Sequence, residues 1–327
     1  MATAAVVIPV YATPENRRLE FLAQTLKSVQ QQTYRDIVAV IVDDGSTVDV
    51  AGFVQAQRMG NVRYVRRTRS PADLKTASNA LNLGIDLCLA RSGEVFSHSE
   101  ASDLAAVAYL HSDDLLPPAS IQKRISVLDG DTAFVHGDTL LVSLDNNPVR
   151  VLRWKGKYNS GSFHNFPHHT IMWTIEFALQ LKSYVAAKYS QDGIFDSRLS
   201  YGEDRDVSLS SAEAAIKEGT KIIYLKEIAY LYKQHLESIS GESPDVYAAN
   251  QDKLIYDKHG LKQGRLMAFF QLVTSDFPWS LGYSFPELVK RQVRPLRDFV
   301  KQKKLGSALS PDERRDLEML LATPLSR

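Results

Sequence analysis

Short apolar runs alternate with helically spaced apolar positions through the first 140 residues. Residues 4–10 (AAVVIPV) are apolar throughout, as a strand covered on both faces requires. Leu19, Leu22, Leu26 and Val29 then recur three or four apart, the spacing of one helix face, and residues 37–42 (IVAVIV) form a second buried strand. The alternation continues with a strand at 62–65, a helix at 77–90, a strand at 105–110 and a helical stretch at 121–128. Strands and helices in this order imply right-handed crossovers and a mostly parallel sheet with helices on both faces, an α/β fold.

From residue 133 the pattern changes. AFVHGDTLLV, the turn-forming residues 145–148 and VRVLRW predict an antiparallel hairpin, followed by the loop KGKYNSGSF with its two glycines. Further on, the spacing predicts a helix over 175–181, a loop holding YGEDRD (201–206), a helix over 207–218 and two short strands, KIIYL and IAYLY. The last 80 residues have helical character, and Ser310, Pro311, Asp312 and Glu313 make a capping box with proline at the first helical position. The expected division is a main unit over 1–240, with halves at 1–130 and 131–240, and a helical C-terminal extension over 241–327.

Composition narrows the class. The chain has 327 residues, 44% hydrophobic and 24% charged, as in an ordinary soluble domain, and no apolar run approaches the ~18 residues of a membrane span. The N-terminal residues lack the basic region of a secretory signal, and the net charge of +1 supplies no drive toward nucleic acid. The one cysteine, Cys88, excludes internal disulfides and thiolate metal clusters, is expected to be a buried inert thiol, and suits a cytoplasmic location.

In a parallel sheet, ligands bind beyond the carboxyl ends of the strands. The residues there are Pro9, Val10 and Tyr11 after the first strand, Asp43 and Asp44 after the second, and Ser112, Asp113 and Asp114 after the fourth. A single aspartate after a strand serves equally well as a helix cap or turn residue. Two separate Asp-Asp pairs ask for more, because adjacent carboxylates repel unless a cation or a ligand's donors offset them.

In order along the chain, VVIPVYATPE, a helix ending in VQQQTY, IVDDGST, ALNLGI, HSDD, GEDRD and YKQHLESIS resemble the GT-A glycosyltransferases of family 2 over residues 4 to about 240. The resemblance implies a GT-A sheet whose first half binds a nucleotide sugar and whose second half binds the acceptor. It implies Mn²⁺ or Mg²⁺ on the donor diphosphate, because breaking the glycosidic bond leaves negative charge there. It makes Asp114 the expected metal ligand, with Asp113 toward the ribose or a metal-bound water and His235 beside the diphosphate and metal. Asp44, then Asp43, would meet the base; Pro9, Val10 and Tyr11 would form the opposite wall, and Lys75 could reach the diphosphate. Asp204 matches the catalytic base, Glu203 would bind an acceptor hydroxyl or position the base, and His168 and His169 are expected on the acceptor side. The sequence departs from the family pattern at His111, where an acidic residue is usual.

The resemblance thus implies an inverting transferase, with a UDP-sugar as expected donor and a glycan, lipid-linked or small-molecule acceptor. A non-catalytic nucleotide-sugar-binding module would bind without needing Asp204. A sugar nucleotidyltransferase would carry a glycine-rich loop after its first strand, and VIPVYATPEN has no glycine. Residues 284–305 set Leu288, Val289, Val293, Leu296 and Phe299 among Lys290, Arg291, Arg294, Arg297 and Lys301. Such a stripe suits either peripheral contact with an anionic membrane or packing on the main unit with a solvated basic face.

Overall fold

A computed structural model describes residues 2–70, 73–74, 76–144, 148–153, 168–199, 202–233, 235, 254–255 and 257–260. Lys75, the loop after residue 153, most of YKQHLESIS and the basic stripe at 284–305 lie outside the described residues.

The elements run β1 (Thr3–Val10), α1 (Arg18–Gln30), β2 (Ile37–Asp43), α2 (Val50–Ala56), β3 (Val62–Arg66), α3 (Ser78–Leu89), α4 (His98–Asp103) and β4 (Leu104–Tyr109). They continue with α5 (Ser120–Ile125), β5 (Thr132–Val142), β6 (Pro148–Leu152), a 3₁₀ turn (His168–Thr170), β7 (Met172–Thr174), α6 (Ile175–Tyr189), α7 (Glu203–Glu218) and β8 (Lys221–Lys233). One sheet orders them β3-β2-β1-β4-β7-β5-β6, with β8 also paired to β5. The first four strands are mutually parallel, β7 is antiparallel to both its neighbours, and β5–β6 is the expected hairpin.

Side-chain alternation along the strands builds two cores. Ala5 and Val7 of β1 enter the core under α3, α6 and α7; Ala4, Val6, Ile8 and Val10 enter the one under α1, α2 and α5. This is why β1 carries no polar position between Ala4 and Val10. Helix α3 lies against the sheet so closely that a Cβ on Gly84 would stand 2.3 Å from Val7 Cγ1 and 2.9 Å from Val42 Cγ2. Cys88, on the same helix, is fully buried, and burial pushes its thiol pKa up, out of the reactive range.

Several elements differ from the sequence expectation, α2 among them. KIIYL and IAYLY are one strand, because β8 stays on β5 through bulges: His136 pairs with Tyr224 and Asp138 with Ile228, leaving Lys226 and Glu227 in the excess. Helix α4 has no buried residue, so no apolar period announces it; its Ser97–Glu100 capping box is the local signal. Helix α6 runs on to Tyr189, and α7 starts at Glu203 rather than 207.

Three residues beyond the expected boundary at 240 pack on the main unit. Ile255 is 1% exposed in the α3/α6/α7 core, Lys258 Nζ lies 2.7 Å from Asp206 Oδ2, and His259 bridges Asp206 Oδ1 at 2.9 Å and Glu213 Oε1 at 3.0 Å. Burial acts against charge on His259, yet its two carboxylate partners raise its pKa. Residues 254–260 thus clamp α7 from outside the expected unit. Among the described residues no helix is long and apolar enough to cross a membrane.

Replacing Gly84 by alanine gains helix propensity but forces a methyl group into Val7 and Val42. Denaturant unfolding is expected to show a net loss of about 1–3 kcal/mol; a stabilised variant would mean α3 has room that the packing denies.

Candidate active site

The loops after β1 and β2 are laced together. Asp44 N donates to Val10 O at 2.8 Å, Ala12 N to Ser46 Oγ at 2.8 Å and Thr47 N to Ala12 O at 3.0 Å. Asp43 is fully buried within this lacing: Oδ1 accepts from Ser46 N at 2.8 Å, and Oδ2 from Tyr64 Oη at 2.7 Å and Arg66 Nη1 at 3.1 Å. The base contact expected of Asp43 is therefore corrected to a structural role. Asp44 pairs with Arg67, which also pairs with Asp73; burial raises the Asp44 pKa, and Arg67 opposes it.

Pro9 and Val10 do not form the expected open wall. They are buried inside β1, in register with Val42 and Asp43, because β1 pairs beyond the last β4 partner of Val7. Pro9 thus falls where the lost N–H has no β4 partner to serve. Tyr11 is the accessible residue, 40% exposed, with the Arg69 guanidinium 5.0 Å from its ring centroid.

The second pair divides its labour in the reverse of the expected sense. Asp114 is 1% exposed; its Oδ1 accepts from Lys233 N at 2.7 Å and its Oδ2 from Tyr230 Oη at 2.8 Å. Its carboxylate holds the end of β8 and is almost fully enclosed, whereas the metal role expected of it asks for an oxygen open to the crevice. Burial and the neighbouring Asp113 charge push its pKa up to about 7. Asp113 Oδ2 instead faces Arg18 Nη1 at 2.5 Å and His235 Nε2 at 2.9 Å. Burial would raise the Asp113 pKa, but Arg18 and His235 hold it well below the usual carboxylate range.

One face of the first two turns of α1 lines this place. Arg18 meets Asp113, Phe21 packs 4.6 Å from the His235 ring, Gln24 accepts from Lys233 Nζ, and Thr25 Oγ1 donates to Asp114 O at 2.8 Å. Asp113 and His235 present one carboxylate and one imidazole. Among the described residues no group of three or more His, Cys, Asp or Glu side chains could hold a metal. Two protein donors fit a hard divalent ion that takes the rest of its shell from phosphate oxygens and water, and do not fit a closed structural metal site.

In the second half of the chain, Gly202 caps α7 with φ +77, a left-handed conformation that favours glycine, and a Cβ there would stand 3.0 Å from Ile255. Glu203 and Asp204 are then the first residues of a helix, where its positive end favours carboxylates, and not members of an irregular loop. Asp204 Oδ2 lies 2.8 Å from His169 Nε2. Burial acts against charge on His169, but Asp204, Asp114 and Glu203 outweigh it and raise the pKa. Glu203, 8% exposed, is pushed up to about 7 by burial and by Asp204.

His111 joins the two halves: its ring is 5.9 Å from that of His169, and it feels the charges of both Asp113 and Asp204. Burial, then His169, lowers its pKa to about 4, so it sits neutral in the middle of the row. The backbone of His168 lies in the same 3₁₀ turn as His169. Trp173 is fully buried, donating from Nε1 to Ser211 Oγ at 2.9 Å, which makes it a core residue.

Arg18, Arg67, Tyr230 and Lys233 escaped the sequence reading. A signal existed for Arg18, since Arg17 and Arg18 open α1 at the end where a helix disfavours cations.

The description "glycosyl transferase family 2" matches residues 5–186. An uncharacterized glycosyltransferase of Rickettsia bellii is 25% identical over 209 residues, 62% of this chain and 25% of the relative. Another, of Rickettsia felis, is 24% identical over 206 residues, 61% of this chain and 28% of the relative. The chain thus spans about a quarter of the length of these curated relatives. Among solved structures, S. aureus TarS 1–349 in complex with UDP-GlcNAc superposes with a TM-score of 0.56 at 13% identity, covering 98% of this chain and 90% of that one. The mannosyltransferase PcManGT from Pyrobaculum calidifontis, in complex with GDP-Man and Mn²⁺, gives 0.50 at 13% identity, with coverage of 98% and 84%. At these identities the likeness is one of fold, the GT-A arrangement. With the family description matched over more than half of its length, the chain belongs to glycosyl transferase family 2.

Proposed function

We propose that this chain is an inverting glycosyltransferase unit that moves a sugar from a nucleoside diphosphate, with UDP as the expected nucleotide, to a hydroxyl of a glycan, lipid-linked or small-molecule acceptor. One observation carries the reading: Asp204, bonded to His169 at 2.8 Å, stands in one continuous row of side chains with Asp113 and His235. A proton acceptor and a cation-binding carboxylate are the two ends such a displacement needs.

In this reading Tyr11 and Asp44 receive the base, and Lys75 serves the diphosphate. Asp113 and His235 would hold Mn²⁺ or Mg²⁺; the bound ion would neutralise charge on the departing diphosphate. Asp204 takes the proton of the acceptor hydroxyl as that oxygen attacks the anomeric carbon, and the carbon–oxygen bond to phosphate breaks with its electron pair leaving on the phosphate. His169 orients the Asp204 carboxylate. Glu203, whose pKa of about 7 keeps a large protonated fraction near neutrality, can donate a hydrogen bond to the acceptor. His168 belongs to the acceptor side with His169, and the segment at 284–305 remains a candidate contact with a lipid surface.

Asp204→Asn is expected to lower kcat by about 10²–10⁴-fold while thermal stabilisation by UDP plus Mn²⁺ is retained. Full transfer by this variant would favour a unit that only binds the donor. Excess chelator is expected to abolish transfer, and undiminished turnover would remove Asp113 and His235 from the proposed role. Glu203 has a folded pKa above the unfolded value of roughly 4.3, so its contribution to stability is complete below that pH and is lost as pH rises through about 7. Glu203→Gln, neutral throughout, should therefore lose less Tm between pH 5 and pH 8 than the parent; equal losses would place the titration elsewhere.

A further inference from the structure

Arg18 has no local reason to be where it is. A cation in the first turn of a helix opposes the macrodipole. Its neighbour Arg17 is offset within α1, by Glu20 at 2.6 Å. Arg18 is offset across the crevice, with Nη1 2.5 Å from Asp113 Oδ2 and its side chain 17% exposed at the mouth of the site. That oxygen is also the one His235 Nε2 approaches at 2.9 Å. A divalent ion on Asp113 would stand beside the guanidinium, and two cations cannot share one carboxylate oxygen without strong repulsion.

A nucleoside diphosphate resolves the conflict. Its phosphate oxygens match the planar fork of a guanidinium better than a single carboxylate oxygen does. Resting on the reading that Asp113 takes the metal, we propose that Arg18 is the resident counter-ion of Asp113 in the donor-free protein and moves to the donor's diphosphate as donor and divalent ion bind. Metal and nucleotide then bind with positive coupling, and by linkage each tightens the other equally. The ion is held only weakly by a site that has no diphosphate to serve.

The test is Mn²⁺ binding followed by electron paramagnetic resonance, with and without UDP and against protein-free controls, on the parent, Arg18→Gln, Arg18→Lys and Asp113→Asn. The parent is expected to bind Mn²⁺ weakly alone and on the order of tenfold tighter with UDP. Arg18→Gln should bind Mn²⁺ alone about tenfold tighter than the parent and lose most of the coupling, while Arg18→Lys, which keeps the cation but not the planar fork, stays near the parent for Mn²⁺ alone and loses part of the coupling. Unchanged Mn²⁺ affinity and coupling in Arg18→Gln, with binding lost in Asp113→Asn, would overturn the exchange and leave the metal reading standing. Undiminished Mn²⁺ binding in Asp113→Asn would overturn both.

Discussion

The buried carboxylate of Asp114 is the tie on which the site depends. By accepting from Tyr230 and from the Lys233 backbone it fastens the last turn of β8 to the end of β4. Those bonds engage both of its oxygens. Asp113, one residue earlier, is thereby turned to Arg18 and His235, and His235 itself is delivered by the same strand end that Asp114 holds. An adjacent pair of carboxylates is tolerable here because one is enclosed by donors and the other is compensated by a guanidinium, so the repulsion between them is met from both sides.

The remaining charge follows from that arrangement. Asp113, Asp114, Glu203 and Asp204 gather around His111 and His169, and burial makes each protonation state depend on the others. Nearby acids raise the His169 pKa against its burial, whereas burial and the nearness of His169 lower that of His111. Helix α7 contributes its positive end to the acids, and Gly202 supplies the turn that brings that end to the crevice. The result is a site whose two chemical ends are electrostatically continuous although they come from opposite halves of the chain.

The parallel half of the sheet was legible because its strands are buried on both faces, and continuous apolar runs such as residues 4–10 have few other uses. The positions of the Asp pairs were legible for the same reason: they lie where those runs stop. What each carboxylate touches was not, because the partners of Asp114 lie more than a hundred residues away, at Tyr230 and Lys233. Pro9 and Val10 were misjudged because the end of a strand and the end of its pairing are different places, and only the register with β2 and β4 separates them. The bulged β8 looked like two strands because the polar Lys226 and Glu227 interrupt a pattern that the backbone carries straight through.

The clamp at residues 254–260 bears on where this unit can be cut. A fragment ending at residue 240 would keep every side chain assigned to donor or acceptor and still strip Lys258 and His259 from Asp206 and Glu213. Asp206 would lose both partners of its carboxylate, and breaking a buried pair from one side costs several kcal/mol. Ion pairing behind the helix that bears Asp204 thus reaches past residue 240 and past His235.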